Sequence, residues 1–114
     1  MILVVGAHAS GKLEYVKAAY GYTDADIADA VLDGRPVVCN VQAMAAADPA
    51  NAPALLPALL EKQVVVCDEV GSGVIPAGRA EREGREAAGR LCVLLAQRAE
   101  HVVRIVCGLP AVLK

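Results

Sequence analysis

The stretch Ile2–Leu13 reads ILVVGAHASGKL, and its pattern decides the expected fold class. Its first four residues are apolar and mostly β-branched, which predicts a buried strand. The last eight letters, GAHASGKL, match the phosphate-loop pattern GxxxxGK[ST] except at the final position, where Leu13 replaces serine or threonine. The stretch therefore predicts a strand, a phosphate-binding loop and a helix in direct succession.

Three features of this loop would bind a phosphate. Gly6 and Gly11 let the backbone turn so that consecutive N–H groups point at phosphate oxygens. The following helix directs its N-terminal dipole at the anion, and Lys12 adds a positive charge. We predict nucleotide contacts from the whole loop, namely Gly6, Ala7, His8, Ala9, Ser10, Gly11, Lys12 and Leu13. The alternatives are a glycine-rich turn with an accidental lysine and, for His8, simple exposure to solvent.

Leu13 affects the metal rather than the loop. In the complete motif the hydroxyl at this position binds Mg²⁺, and leucine has no atom that can replace it. We expect ATP or GTP as the bound nucleotide, with Mg²⁺ made doubtful by Leu13.

Two acidic residues, Asp68 and Glu69, follow the apolar run Val64–Cys67. A carboxylate at the carboxyl end of a parallel strand faces the ligand crevice, where it holds Mg²⁺ or orients the nucleophile. We predict that Lys12, Asp68 and Glu69 are catalytic and that Asp68 binds the metal. The alternative is a pair of ordinary strand-end acids that cap the next turn.

Composition narrows the class of protein. The chain has 114 residues, of which 56% are apolar, so we expect one nucleotide-binding domain spanning residues 1–114. A formal charge of -2, with three Tyr and no Phe or Trp, argues against nucleic acid as a partner. No apolar run reaches the length of a membrane span, and the N-terminus lacks a basic signal-peptide region, so we expect a cytoplasmic protein without a membrane partner.

The four cysteines form no CxxC pair and are interpreted as small buried apolar side chains, with zinc binding as the alternative. They are Cys39, Cys67, Cys92 and Cys107.

The apolar pattern predicts four strands, at Ile2–Val5, Pro36–Cys39, Val64–Cys67 and Val102–Cys107. Each run is nearly continuous, which is typical of parallel strands buried on both faces. Helical segments are predicted at Gly11–Tyr20, Asp24–Leu32, Val41–Ala47, Ala54–Lys62 and Pro76–Ala99. This alternation favours an α/β, P-loop NTPase-like three-layer fold with a small, mainly parallel β-sheet flanked by helices.

Beyond the loop, the segments DEVGSGVIP, RxxxGRL and VVRIVCGLPAVLK resemble the adenosylcobinamide kinase / adenosylcobinamide-phosphate guanylyltransferase family of cobalamin biosynthesis. The similarity covers roughly residues 1–17 and 67–114. Within residues 67–114, the positions that match the family pattern are Glu69, Val70, Gly71, Gly73, Pro76, Arg85, Gly89, Arg90, Gly108, Pro110 and Lys114. The resemblance implies a nucleotide and a corrinoid as substrates, and a homo-oligomer.

The chain also departs from that family pattern. Leu13 replaces the family's serine, Cys39-Asn40 replaces an acid-cysteine pair, and Asp68 replaces asparagine. The segment that carries the family's guanylylated histidine is shortened to Gly21–Pro36 and contains no histidine; neither His8 nor His101 matches that position. We therefore expect a cobinamide-type kinase whose guanylyltransferase half is lost. The alternatives are a catalytically degenerate nucleotide-binding protein with a regulatory or assembly role and a purely structural module.

Overall fold

The computed structural model describes residues 1–70 and 78–114. Six strands occur within them: β1 (Ile2–Gly6), β2 (Ile27–Asp29), β3 (Val37–Cys39), β4 (Val64–Asp68), β5 (His101–Val106) and β6 (Leu109–Val112). The α-helices there are α1 (Lys12–Tyr20), α2 (Val41–Ala47), α3 (Leu56–Leu60) and α4 (Arg79–Arg98). Short 3-10 helices cover Asp24–Asp26 and Pro49–Leu55.

The strands form one sheet in the order β2-β3-β4-β1-β5-β6. Strand β1 lies between β4 and β5 and pairs with both in parallel, while β6 is antiparallel to β5. Because parallel strands point the same way, the residues that follow β1, β3 and β4 meet at one edge of the sheet. This carboxyl edge carries the predicted phosphate loop.

Helices cover both faces of the sheet, which explains why the central strands are continuously apolar. One core lies between the sheet and helices α2, α3 and α4, and includes Leu3, Val65, Leu59 and Leu95. The other core lies beneath α1. The predicted α/β three-layer fold with a mainly parallel sheet is confirmed.

Most predicted elements are confirmed within a residue or two. The long helix begins at Arg79, buries Gly84, Ala87, Leu91 and Leu95, and ends at Arg98. Its predicted beginning at Pro76 lies outside the described residues, as do the resemblance positions Gly71 and Gly73.

The predicted helix at Asp24–Leu32 is wrong. Thr23 and Asp26 form a reciprocal capping box around a single 3-10 turn, after which the chain becomes extended. Ile27–Asp29 then pairs with Val37–Cys39, and Ala28 is completely buried. Three residues are too few to show a strand period, so pairing with β3, rather than local pattern, decides this segment.

The second missed strand, β6, follows a two-residue turn at Cys107 and Gly108, whose φ angles are 50° and 77°. Positive φ at both central positions is the turn geometry that matches the twist of a hairpin. The prediction of a buried thiol is therefore wrong for Cys107, which is exposed, whereas Cys39 and Cys67 are buried and Cys92 is half-buried. Burial raises the pKa of the Cys39 thiol.

Candidate functional site

The loop between β1 and α1 turns sharply at two residues with positive φ. Ala9 and Gly11 adopt left-handed conformations, with φ of 57° and 94°. The Ser10 N–H donates to the Ala7 carbonyl at 3.2 Å, and α1 begins where the Tyr15 N–H donates to the Gly11 carbonyl at 3.0 Å. The first N–H groups of a helix have no intrahelical acceptor, so the loop and the N-terminus of α1 together can bind an anion.

Lys12 lies at the centre of the site. Its side chain is only 7% exposed, and Nζ lies 2.7 Å from Asp68 Oδ1. Nζ also donates to the Ala7 carbonyl at 2.6 Å. An ammonium group has three N–H donors, so these two contacts leave one for a phosphate oxygen.

Asp68 is brought to Lys12 by the register of the sheet, in which Gly6 on β1 pairs with Asp68 on β4. Its Oδ2 lies 3.3 Å from Nδ1 of His8, whose ring is 94% exposed. The Asp68 carboxylate therefore contacts both the lysine and the loop histidine. These three predicted site residues are adjacent in the structure.

A chain of polar side chains extends from Asp68 along the carboxyl edge. The Asp68 N–H donates to Gln42 Oε1 at 3.0 Å, and Gln42 Nε2 donates to Asn40 Oδ1 at 3.2 Å. Asn40 Nδ2 in turn donates to Asp29 Oδ1 at 2.6 Å. The sequence did not predict this row of hydrogen-bonded side chains, because Asp29 ends a strand that was not predicted. The polar residues Asn40 and Gln42, just after β3, were only a weak indication of it.

Glu69 is paired with Arg104 rather than with Lys12. Its Oε1 accepts from Arg104 Nε at 2.6 Å and its Oε2 accepts from Arg104 Nη2 at 3.1 Å. This pairing raises the pKa of Arg104. The Glu69 N–H donates to the Gly6 carbonyl at 2.8 Å, so Glu69 fixes Arg104 beside the loop while Asp68 faces Lys12.

Two cavities flank the loop. The phosphate cavity, as we name it, has a volume of about 200 Å³ and is lined by His8–Glu14, Cys39, Asn40, Val66 and Asp68. The hairpin cavity, of about 290 Å³, lies on the other side and is lined by Ala7–Ser10 and Arg104–Cys107. A larger cavity of about 490 Å³ lies near Arg35 and Lys62, at the beginnings of β3 and β4, far from the loop's N–H groups.

Comparison with known proteins identifies the family. The family model described as cobinamide kinase / cobinamide phosphate guanyltransferase matches residues 35–113, which is more than half of the chain. The chain belongs to this family. A comparison with curated proteins found no match.

The family assignment indicates the pathway and the kind of substrate. Cobinamide kinases and cobinamide phosphate guanyltransferases act in cobalamin biosynthesis and use nucleoside triphosphates. The match begins after the loop Gly6–Leu13, so the loop is supported by its own geometry rather than by the comparison. None of the helices that the structure describes has the length and apolar character needed to cross a membrane.

The two histidines of this family member lie at opposite edges of the sheet. His8 is beside Asp68 at the carboxyl edge. His101 pairs with Ile2 at the beginning of β5, at the amino edge, and is exposed. Only His8 is therefore close to the candidate phosphate site.

The protein side chains around Asp68 do not form a complete Mg²⁺ site by themselves. Hard cations need several oxygen ligands, but one Asp68 oxygen is paired with the Lys12 ammonium and Leu13 contributes no ligand atom. Across residues 1–70 and 78–114, no three His, Cys, Asp or Glu side chains are close enough to hold a metal together.

Proposed function

We propose that this family member transfers the γ-phosphoryl group of ATP or GTP to a hydroxyl of a cobinamide-type corrinoid, and that it does not carry out guanylyl transfer. The observation that carries the proposal is the buried ammonium of Lys12, held between the Ala7 carbonyl and Asp68 with one N–H still available. Phosphoryl transfer depends mainly on positioning and charge neutralisation, which this arrangement supplies.

In the proposed reaction, the backbone N–H groups of Ala9, Gly11 and Lys12 and the Lys12 ammonium bind the phosphate oxygens. The corrinoid hydroxyl oxygen forms a bond to the γ-phosphorus as the bond to the bridging β–γ oxygen breaks. Asp68 orients the hydroxyl and accepts its proton, and the nucleoside diphosphate leaves with the electron pair of the broken bond. Glu69 contributes by holding Arg104, with no proton transfer of its own.

A second candidate, nucleotide binding without transfer, is favoured by one observation. Leu13 removes the hydroxyl that normally holds the metal, and it packs against the core beneath α1 instead. Under this alternative the same loop binds the nucleotide, but the protein serves a regulatory or assembly role in the corrinoid pathway.

A transfer assay with γ-labelled ATP or GTP and cobinamide separates the two candidates. We expect labelled cobinamide phosphate from the unaltered chain and a large loss of product from Asp68→Asn, which keeps the shape of the side chain but cannot accept a proton. Asp24→Asn, at an exposed acid paired with Lys17, is the matched control and should leave turnover unchanged. Saturable nucleotide binding without labelled product would favour the second candidate.

The absence of guanylyl transfer is tested separately with α-labelled GTP. We expect no acid-labile protein–GMP adduct, because the shortened segment Gly21–Pro36 has no histidine. If an adduct forms and His8→Ala abolishes it, this part of the proposal is wrong and His8 is the nucleophile.

Leu13→Ser completes the phosphate-loop motif and tests the role of the metal. We expect the affinity of the unaltered chain for ATP to change only a few-fold when Mg²⁺ is removed, and the serine variant to show a steeper dependence, because its hydroxyl adds a Mg²⁺ ligand. Isothermal calorimetry with and without Mg²⁺ measures this. Leu13→Ala loses the same core contacts without adding a hydroxyl; an equal change in both variants would contradict the expectation.

The predicted homo-oligomer and single domain of residues 1–114 remain proposals. Support for an oligomer comes from the edge strand β6 and the residue after it, where Leu109, Val112 and Leu113 are exposed. Exposed apolar side chains on an edge strand are typical of surfaces covered by another protein chain.

A further inference from the structure

The hairpin cavity is a second concave surface that shares the phosphate loop. The loop residues His8, Ala9 and Ser10 form a wall that it shares with the phosphate cavity. The two cavities differ in chemistry. The phosphate cavity contains the Lys12 ammonium, whereas the hairpin cavity is lined mainly by Ala, Ile, Val and Cys side chains.

The far wall of the hairpin cavity is fixed to the loop. The Gly108 N–H donates to the Ser10 carbonyl at 2.8 Å. Gly11 lies so close to this turn that a Cβ added to it would be 3.2 Å from Gly108 Cα. The β5–β6 turn and the phosphate loop are therefore held together, and the cavity between them is preformed.

Two side chains of this wall suit a planar organic group. Val106 is apolar yet 48% exposed, so it presents a surface that a ring can cover. Arg104 lies at the rim, where Glu69 engages its Nε and Nη2 atoms. A guanidinium has donors on all three nitrogens, so Nη1 can donate to a base or ribose oxygen.

We propose that the nucleoside of the bound nucleotide occupies the hairpin cavity, with its base against Val106 and the Cys107 turn and its phosphates at Lys12. A nucleotide has an anionic end and an aromatic end, and the two cavities on either side of the shared loop have matching charged and apolar linings. This inference rests on the proposed nucleotide site and assigns it a second half, with Val106, Cys107 and Arg104 as contact residues.

Cys107 provides a direct test because its thiol is exposed at the cavity, whereas Cys39 and Cys67 are buried. The rate of alkylation of Cys107 by N-ethylmaleimide is followed by peptide mass spectrometry with ATP, GTP or inorganic tripolyphosphate. At a nucleotide concentration about ten times its dissociation constant, we expect labelling to slow about tenfold. Tripolyphosphate, which occupies only the phosphate cavity, should leave the rate unchanged, and half-buried Cys92 on α4 is the internal reference.

Calorimetry on the same samples measures whether the nucleotide and tripolyphosphate bind, so that each labelling result can be interpreted. Nucleotide binding without protection of Cys107, or equal protection by tripolyphosphate, overturns the inference and leaves the proposed phosphate site standing. If neither nucleotide nor tripolyphosphate binds, the proposed function fails and this inference fails with it.

A matched pair of valines gives an independent readout. Val106→Ala should weaken ATP binding a few-fold without affecting tripolyphosphate. Val93→Ala, at a valine of similar exposure on α4, should affect neither ligand. Equal affinities for ATP in all three proteins would contradict a base against Val106.

Discussion

Replacement of Lys12 by methionine is expected to weaken nucleotide binding about 100-fold, because a hydrogen bond from a charged donor contributes about 1.5–3 kcal/mol. Methionine keeps most of the apolar stem that is buried beside the loop and removes only the ammonium. The loss of nucleotide affinity therefore measures the contribution of the ammonium charge and its N–H donor. Calorimetric titration with ATP and GTP measures the affinity.

The same substitution should also lower the free energy of unfolding. Asp68 is 16% exposed and Lys12 is 7% exposed. Removing one partner of a largely buried ion pair leaves the other charge poorly compensated, at a cost of about 3 kcal/mol. Urea unfolding followed by circular dichroism measures this cost.

Lys17→Met is the matched control, because Lys17 is on the same helix but is half-exposed and pairs with exposed Asp24. An exposed ion pair contributes little to stability because water screens it, so this variant should keep both affinity and stability. If Lys12→Met remains folded and binds ATP as tightly as the unaltered chain, Lys12 has no role at a phosphate.

Gly6→Val is expected to destabilise the fold by about 3 kcal/mol, since overpacking a rigid interior forces the backbone to move. A Cβ added at Gly6 would lie 2.6 Å from the Ile105 carbonyl oxygen and 2.7 Å from Ser10 Oγ. The first of these is backbone of the neighbouring strand β5, which cannot turn away. The strain would therefore reach the phosphate loop, and nucleotide affinity should fall together with stability.

Gly34→Val separates this crowding from the general effect of replacing glycine. Nothing lies within 4 Å of a Cβ added at Gly34, so the change should cost less than about 1 kcal/mol. Denaturant midpoints of the two variants give the comparison. Equal midpoints would show that the space around Gly6 is not limiting.

Several parts of this structure could be predicted because their signals are local. The apolar runs ending at Val5 and Cys67 are long enough to identify buried strands, and the glycines around Lys12 specify a loop whose shape depends on few other residues. The spacing of apolar residues in α4 likewise identifies its buried face.

Other parts could not be predicted because they depend on distant partners. The segment Ile27–Asp29 becomes a strand through pairing with β3, and Cys107 is exposed because a turn, rather than a strand, includes it. The ion-pair partners of Asp68 and Glu69 could not be predicted from the neighbouring residues in the sequence either. Adjacent in sequence, these acids are paired with Lys12 and Arg104, which belong to different elements.

The sequence by itself determined the alternation of strands and helices, the glycine-containing loop between β1 and α1 and the absence of a hydroxyl at Leu13, because each depends on residues close together in the chain. Only the tertiary structure decided that Asp68 holds Lys12, that Glu69 holds Arg104 and that a second cavity adjoins the loop. Those contacts arise from sheet register, which places Gly6 beside Asp68 and Ile105. Register is set by the packing of the whole sheet against its helices, and no short stretch of sequence contains it.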